Sequence, residues 1–270
     1  KGKNMETINN EESQEILKAE NISIIRDKHY IIKDISFSIN KGENWAIIGR
    51  NGSGKSFMLK ILSTLVYPSE GSISIYGKKF GETNIWDLRK KIGVVSDRLQ
   101  HDYNGNTCVH DVILSGFFSS IGLHQDAQQW QIDRVKEIME FLRLTPMANR
   151  PFETLSQGEQ KRALIGRALV FKPQLIILDE PCSGLDIASR DDFLNFLGKM
   201  IADGMQIIFV THHIEEIIPE ITHVMLMEKG KIYKSGKKED MMKRKQLRYI
   251  LGVEKFKMKE KKGRYWPRYY

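Results

Sequence analysis

No stretch of the sequence approaches 18 consecutive apolar residues, which excludes a helix built to cross a bilayer. The first residues, KGKNMETINNEESQE, are polar and lack the apolar core of a signal peptide, so secretion is not expected. There are only two cysteines, Cys108 and Cys182, far apart and without metal-ligand spacing. That excludes a disulfide framework and a cysteine zinc site, and leaves two reduced thiols as the expectation. No internal repeat is present, so the chain is one copy of one unit rather than a solenoid. Charge of one sign, by contrast, is in excess: 42 Lys and Arg stand against 34 Asp and Glu, a net +8. Such a balance points to an anionic partner, whether nucleotide, nucleic acid or lipid. With 270 residues and 41% hydrophobic content, the chain can bury the core of one large or two small domains.

The stretch around which the rest is organised is Gly49-Arg50-Asn51-Gly52-Ser53-Gly54-Lys55-Ser56. It fits G-x-x-x-x-G-K-[ST], and its setting is right. Trp45 to Ile48 reads as a buried strand, and Phe57 onward to Leu65 as a helix. Glycines let the backbone N–H groups turn inward around an anion, and the helix N-terminus adds its dipole. Lys55 is the expected bridge between the β- and γ-phosphates of a nucleotide, and Ser56 the expected Mg²⁺ ligand. Arg50, Asn51 and Phe57 complete the expected phosphate-binding run. A second piece follows about 125 residues on: the apolar run Leu175 to Leu178 delivers Asp179 and Glu180 at a strand's C-terminal end, the edge where nucleotides sit in α/β sheets. Asp179 suits Mg²⁺ coordination through water. Glu180 is placed to orient or deprotonate the attacking water.

Between and around these pieces the pattern is that of an α/β protein. Residues 1–18 form a polar N-terminal extension. Residues 19–49 read as Ile-rich antiparallel strands broken at Arg26-Asp27-Lys28 and Asn40-Lys41-Gly42. Residues from 98 to about 165 carry helical spacing without a strand pattern, as in Ile132, Val135, Ile138, Met139 and Leu142, so a helical unit is inserted into the sheet. A helix from Asp191 to Ala202, a strand from Gln206 to Val210 and a hairpin around Lys229-Gly230 follow. After Gly236 the composition turns basic and aromatic, and residues 237–270 read as a tail.

Leu155-Ser156-Gln157-Gly158-Glu159-Gln160 opens an amphipathic helix about 20 residues before the acidic strand end. Here the chain resembles the ATP-binding cassette (ABC) ATPases, whose signature is LSGGQ; Gln157 replaces the first glycine. Ser183-Gly184-Leu185-Asp186 resembles that family's D-loop, and Thr211-His212 its switch-histidine segment. The resemblance covers about residues 19–236. It implies a P-loop cassette: a mixed sheet core, an antiparallel β subdomain and an inserted α-helical subdomain. It also implies that ATP and Mg²⁺ are bound and ATP hydrolysed, with Glu180 and His212 as catalytic residues. By the same resemblance Ser156, Gln157, Gly158 and Glu159 meet the nucleotide held by a second copy, Asp186 lies at the seam, and ATP joins two copies head to tail.

Two segments depart from the family pattern. Where a glutamine usually reaches Mg²⁺, this chain has Asp97, a carboxylate that accepts but cannot donate as an amide does. Where an aromatic usually stacks on adenine, the chain has Arg26, with Tyr30 nearby. His213 stands where the family more often has Asp. The expected role is the ATPase subunit of a transporter whose membrane-spanning parts are separate chains, on the cytoplasmic face of the membrane. The alternative is a soluble ABC ATPase acting on nucleic acid or ribosomes, for which the charge and the basic-aromatic tail speak. Ribosome-acting members generally carry two cassettes per chain, and this chain carries one.

Overall fold

The computed structural model describes residues 15–96, 99, 102–103, 106–123, 126–253 and 255–270. Asp97, the expected substitute for the coupling glutamine, lies outside the described residues. The first two strands, β1 (Glu15–Arg26) and β2 (His29–Asn40), pair antiparallel around a tight turn. Asp27 and Lys28 supply it at φ 48° and 65°, the left-handed pair that matches strand twist. Next come β3 (Trp45–Ile48), α1 (Lys55–Leu62), β4 (Glu70–Ile75) and β5 (Lys78–Lys79). After α2 (Ile85–Arg89) and β6 (Ile92–Ser96) the chain turns helical, with α3 (Val109–Leu114), α4 (Gln129–Phe141) and α5 (Gln157–Leu169). The sheet resumes with β7 (Leu175–Asp179), α6 (Ile187–Ala202), β8 (Gln206–Thr211), β9 (His223–Glu228) and β10 (Lys231–Lys237).

The central sheet has six strands in the order β10-β9-β3-β8-β7-β6; β6, β7, β8, β3 and β9 run parallel, and β10 returns as a hairpin. Its middle strands are buried throughout, which is why they read as unbroken apolar runs rather than alternating ones. A second, four-stranded antiparallel sheet, β2-β1-β4-β5, packs its isoleucine face (Ile22, Ile24, Ile32, Ile35) with Ile47 and Met58 in one core. The helical part joins the other core, where Val112, Ile113, Val135 and Leu164 meet Leu178 and Phe209. Among the described residues no helix is long and apolar enough to cross a membrane.

Four local outcomes differ from the sequence pattern. β1 begins at Glu15, inside the expected polar extension of residues 1–18, because Ile16 and Leu17 are buried in the core. The helix expected from Asp191 begins a turn earlier, at Ile187, because the Asp186 carboxylate accepts from the Ser189 N–H at 3.0 Å and caps it. The helical reading from Val109 to Phe118 is an α-helix only to Leu114, and its end tightens into a 3₁₀ turn. Residues 238–253 and 255–270 are folded: α7 (Lys238–Met241), α8 (Arg244–Leu251) and the hairpin β11 (Phe256–Lys261) with β12 (Arg264–Tyr269). Leu247, Ile250 and Phe256 from this segment are buried in the same core as the central sheet.

Candidate functional site

β3 ends and α1 begins across the loop Gly49–Gly54. Gly52 and Gly54 hold φ of 79° and 102°, which a Cβ would strain. A Cβ at Gly49 would lie 2.5 Å from both the Met227 carbonyl oxygen and Ser53 Oγ. Gly49 thus leaves no room for a side chain, while Gly52 and Gly54 are required by their backbone conformation. Lys55 is buried, and its Nζ donates to the carbonyls of Gly49 at 2.7 Å and Arg50 at 3.2 Å. Burial pulls its pKa down, while the carboxylates of Glu180 and Asp179 pull it back up. Ser53 Oγ is buried without a hydrogen-bond partner among the described residues, and α1 has no side-chain cap. A glycine cradle, an orphaned hydroxyl and a free helix N-terminus together fit a polyphosphate.

The hairpin turn between β9 and β10 pins this loop in place. The Gly230 N–H donates to the Ser53 carbonyl, and the Gly230 carbonyl accepts from the Lys33 N–H, both at 3.0 Å. β2 thereby touches the phosphate loop; the Ile31 carbonyl lies 3.5 Å from where a Gly54 Cβ would be. Tyr30, half exposed, sits next to that contact with Lys33 Nζ 4.9 Å above its ring, whereas Arg26 lies at the exposed hairpin end. Tyr30 is thus tied more closely to the loop than Arg26.

Asp179 ends β7 between Ser96 on β6 and Val210 on β8. Glu180 follows at φ 45°, an uncommon conformation for a non-glycine residue, held by its N–H donating to the Val210 carbonyl at 2.9 Å. Its Oε1 lies 3.1 Å from His212 Nδ1, which comes off the end of β8. Adjacent parallel strands thus present the two expected catalytic side chains to each other. Thr211 fixes the turn after β8: its hydroxyl donates to Glu216 Oε2 at 2.6 Å and accepts from the His213 N–H at 2.9 Å. Glu216 is buried, which pushes its carboxyl pKa up; the Thr211 hydroxyl offsets part of that. The His213 ring lies 4.1 Å from that of His212.

Ser156 caps α5 in a reciprocal box with Glu159, whose Oε2 accepts from the Ser156 N–H at 2.8 Å. Burial opposes ionisation of Glu159, but the Ser156 N–H and hydroxyl hold its pKa below the usual value. A Cβ at Gly158 would meet nothing within 4 Å, so this face is open. The Gln157 side chain instead packs against Gly184, where a Cβ would collide with its Oε1. Asp186 is engaged in capping α6, and the Ser189 N–H and hydroxyl hold its carboxyl below the usual value. Ser56 is exposed at the start of α1. The chain brings the phosphate loop, the acidic strand end and His212 together; Ser156 to Glu159 are placed on a separate, outward face.

Sequence reasoning missed the C-terminal segment. Leu251, at the end of α8, lines a depression of about 310 Å³ with Gly49, Arg50, Asn51 and His212. Trp266 and Pro267 line another, of about 550 Å³, with Arg190, His212, His213 and Glu215. Only a change of composition marked these residues in the sequence. Cys108, His110 and Asp111 also converge, their ligand atoms within 4.8 Å, but burial pushes the Cys108 thiol pKa up and so disfavours the thiolate.

The chain matches the ABC transporter family model over residues 32–183, more than half its length. It is 37% identical over 230 residues to an uncharacterised ABC transporter ATP-binding protein, YlmA, of Bacillus subtilis, covering 84% of this chain and 87% of that one. With the energy-coupling factor transporter ATP-binding protein EcfA1 of Enterococcus faecalis it shares 33% over 209 residues, 77% of this chain and 73% of the relative. Among solved structures it resembles cbiO1 of Clostridium perfringens, part of the ABC transporter complex cbiONQ. There the TM-score is 0.74 at 27% identity over 88% of this chain and 96% of that one. It also resembles the dimeric cassette MJ0796 in a post-hydrolysis state with ADP and Pi, with a TM-score of 0.69 at 27% identity, covering 82% and 98%. A P-loop fold with an inserted helical part and this run of motifs defines an ABC cassette. The chain belongs to the ABC transporter family and is of its ATP-binding subunit type. This supports the transporter reading over that of a soluble cassette acting on nucleic acid or ribosomes.

Proposed function

We propose that the chain hydrolyses ATP to ADP and phosphate as a head-to-tail dimer that drives separate membrane-spanning chains from their cytoplasmic face. The observation that carries the reaction is the 3.1 Å approach of His212 Nδ1 to Glu180 Oε1, at neighbouring strand ends whose carboxylates reach Lys55 electrostatically. A carboxylate only accepts, so an ionised Glu180 accepts this hydrogen bond from the Nδ1–H tautomer of His212, and the bond orients both groups. Glu180 aligns the attacking water and takes up its proton; His212 contacts the γ-phosphate. Lys55, released from the loop carbonyls, bridges the β- and γ-phosphates, and the amides from Arg50 to Ser56 surround them. Ser56 and Asp179 would hold Mg²⁺, which supplies charge neutralisation at those phosphates. Asp97 is proposed to stand in for the coupling glutamine.

The open N-terminus of α5 supports the dimer: Ser156 and Gly158 present an anion-binding helix end to a phosphate held by the second copy, with Gln157 and Glu159 bordering it and Asp186 at the seam. MJ0796 is itself a dimeric cassette, and the cbiO1 and EcfA1 names refer to transporter assemblies, which favours separate membrane partners here. The test is Glu180→Gln. It keeps the shape and loses the base, so ATP still binds, hydrolysis slows at least about 100-fold, and ATP converts the variant to a stable dimer. A variant that stays monomeric by light scattering in saturating ATP and Mg²⁺ removes the shared-site reading.

A further inference from the structure

We propose that the C-terminal segment from α8 to β12 braces the phosphate end of the nucleotide site. In this proposal Trp266 and Arg264 are positioning residues for His212; it rests on the reading of His212 as the γ-phosphate contact. Four contacts, from different parts of the segment, converge on that end. Leu251 stands beside Gly49, Arg50, Asn51 and His212. Gly252 caps α8 at φ 63°, and a Cβ there would lie 2.5 Å from Arg50 Nη1, so the loop's arginine rests directly on this glycine. Trp266 and Pro267 border His212 together with His213, Arg190 and Glu215. Arg264 Nη2 donates to Asp191 Oδ1 at 2.9 Å and to the Glu215 carbonyl at 3.3 Å, with its guanidinium 4.7 Å over the Trp266 ring.

The brace is anchored as well as adjacent. Leu247, Ile250 and Phe256 are buried, Arg244 Nη2 donates to the Phe256 carbonyl at 2.8 Å, and a Gly263 Cβ would lie 3.1 Å from Pro219 Cβ. Arg264 therefore transmits a fixed position to both sides of the switch. Asp191 lies on α6, the helix that the D-loop opens, and Glu215 lies in the turn that follows His212. The Glu215 side chain is further engaged by Arg190 Nη1 at 3.7 Å and His213 Nδ1 at 3.5 Å. Trp266 lines the same depression as His212, so removing the indole enlarges the space beside that ring. On its other sides His212 meets Glu180 Oε1 at 3.1 Å and the His213 ring at 4.1 Å. Nucleotide affinity, set by the glycine loop and Lys55, does not pass through this network.

The experiment uses the full chain and measures ATPase kcat, KM for ATP and melting temperature in Trp266→Ala, Trp266→Phe, Arg264→Ala and Arg264→Lys. Lys257→Ala, on the same hairpin but away from His212, is the control. Misplacing a reacting group by a fraction of an ångström lowers kcat roughly 10- to 100-fold. The two alanine variants should show that loss with KM for ATP within twofold, Trp266→Phe should restore most of it, and Lys257→Ala should match the parent. If the alanine variants fold poorly, Arg264→Lys still decides the matter by a kcat loss without a matching change in KM or melting temperature. Parental kcat in all four overturns the brace, as does a loss in kcat that follows melting temperature and KM alike. Glu180→Gln separates the two readings. If it abolishes hydrolysis while Trp266→Ala leaves kcat intact, the brace fails and the site stands; if Glu180→Gln hydrolyses ATP normally, the site reading itself fails.

Discussion

The phosphate loop and the signature segment both place a helix N-terminus where an anion would sit, yet they are built in opposite ways. α1 starts from Gly54 with no side-chain cap, behind a loop whose lysine is buried. α5 starts from Ser156, capped by Glu159, on an exposed face where Gly158 meets no neighbour. The buried N-terminus leaves its amides for a ligand and relies on glycine geometry to admit it. The exposed one engages the Ser156 and Glu159 amides in its own cap and keeps its shape while waiting for another surface. The same electrostatic device is thus made intrachain in one place and suited to an interchain contact in the other.

The comparison breaks most sharply at Lys55. Lys55→Ala should weaken ATP binding about 100-fold, the loss of charged hydrogen bonds to phosphate, in a fluorescent-nucleotide titration. Ser156→Ala should do the reverse: ATP affinity of the monomer unchanged, hydrolysis under dimer-forming conditions down roughly 10-fold or more, and about 1 kcal/mol of cap stability lost. If Ser156→Ala weakens ATP binding by the isolated monomer, the division between the two helix ends is wrong. At the adenine end the expected effects are smaller, roughly 0.5–2 kcal/mol for whichever of Arg26→Ala and Tyr30→Ala removes the stacking group. The tie between β2 and the phosphate loop favours Tyr30, and equal affinity of Tyr30→Ala and the parent would return the role to Arg26. The smallest effect concerns Glu216. Its folded-state pKa is raised, so the stability it contributes is present at low pH and is lost as pH rises through that raised value. Glu216→Gln should flatten that part of the stability-pH curve in denaturant melts, and gain on the parent toward alkaline pH.

Much of this was legible in the sequence because backbone requirements leave local marks. Gly49 states where no Cβ fits, Gly52 and Gly54 state a left-handed backbone, the four-residue apolar strands state burial on both faces, and Asp179-Glu180 states a strand end. The start of α6 was misjudged by one turn because apolar spacing becomes regular only after Asp191, whereas the cap that starts the helix is the acid at 186. The fold of residues 238–270 was hidden by its own composition. Residues 237–270 contain 13 Lys and Arg against 4 Asp and Glu, so the whole positive excess of the chain resides there. Leu247, Ile250 and Leu251 do stand at helical spacing and Lys262-Gly263, at φ 52° and 74°, forms a hairpin turn, but both marks are short and set amid that charge. The approach of Leu251 and Gly252 to Arg50 joins residues about two hundred positions apart, and no local pattern encodes it.

One residue, Gly230, has its N–H engaged by the phosphate loop and its carbonyl by β2. Its lack of a Cβ is what lets the two strands and the loop meet, since a side chain there would strike the Ile31 carbonyl. For a ligand that reaches from the β1–β2 hairpin to Lys55, this residue acts as a ruler. It fixes the separation of the β1–β2 hairpin from the Lys55 loop through main-chain bonds alone, a length no side-chain rotamer can alter.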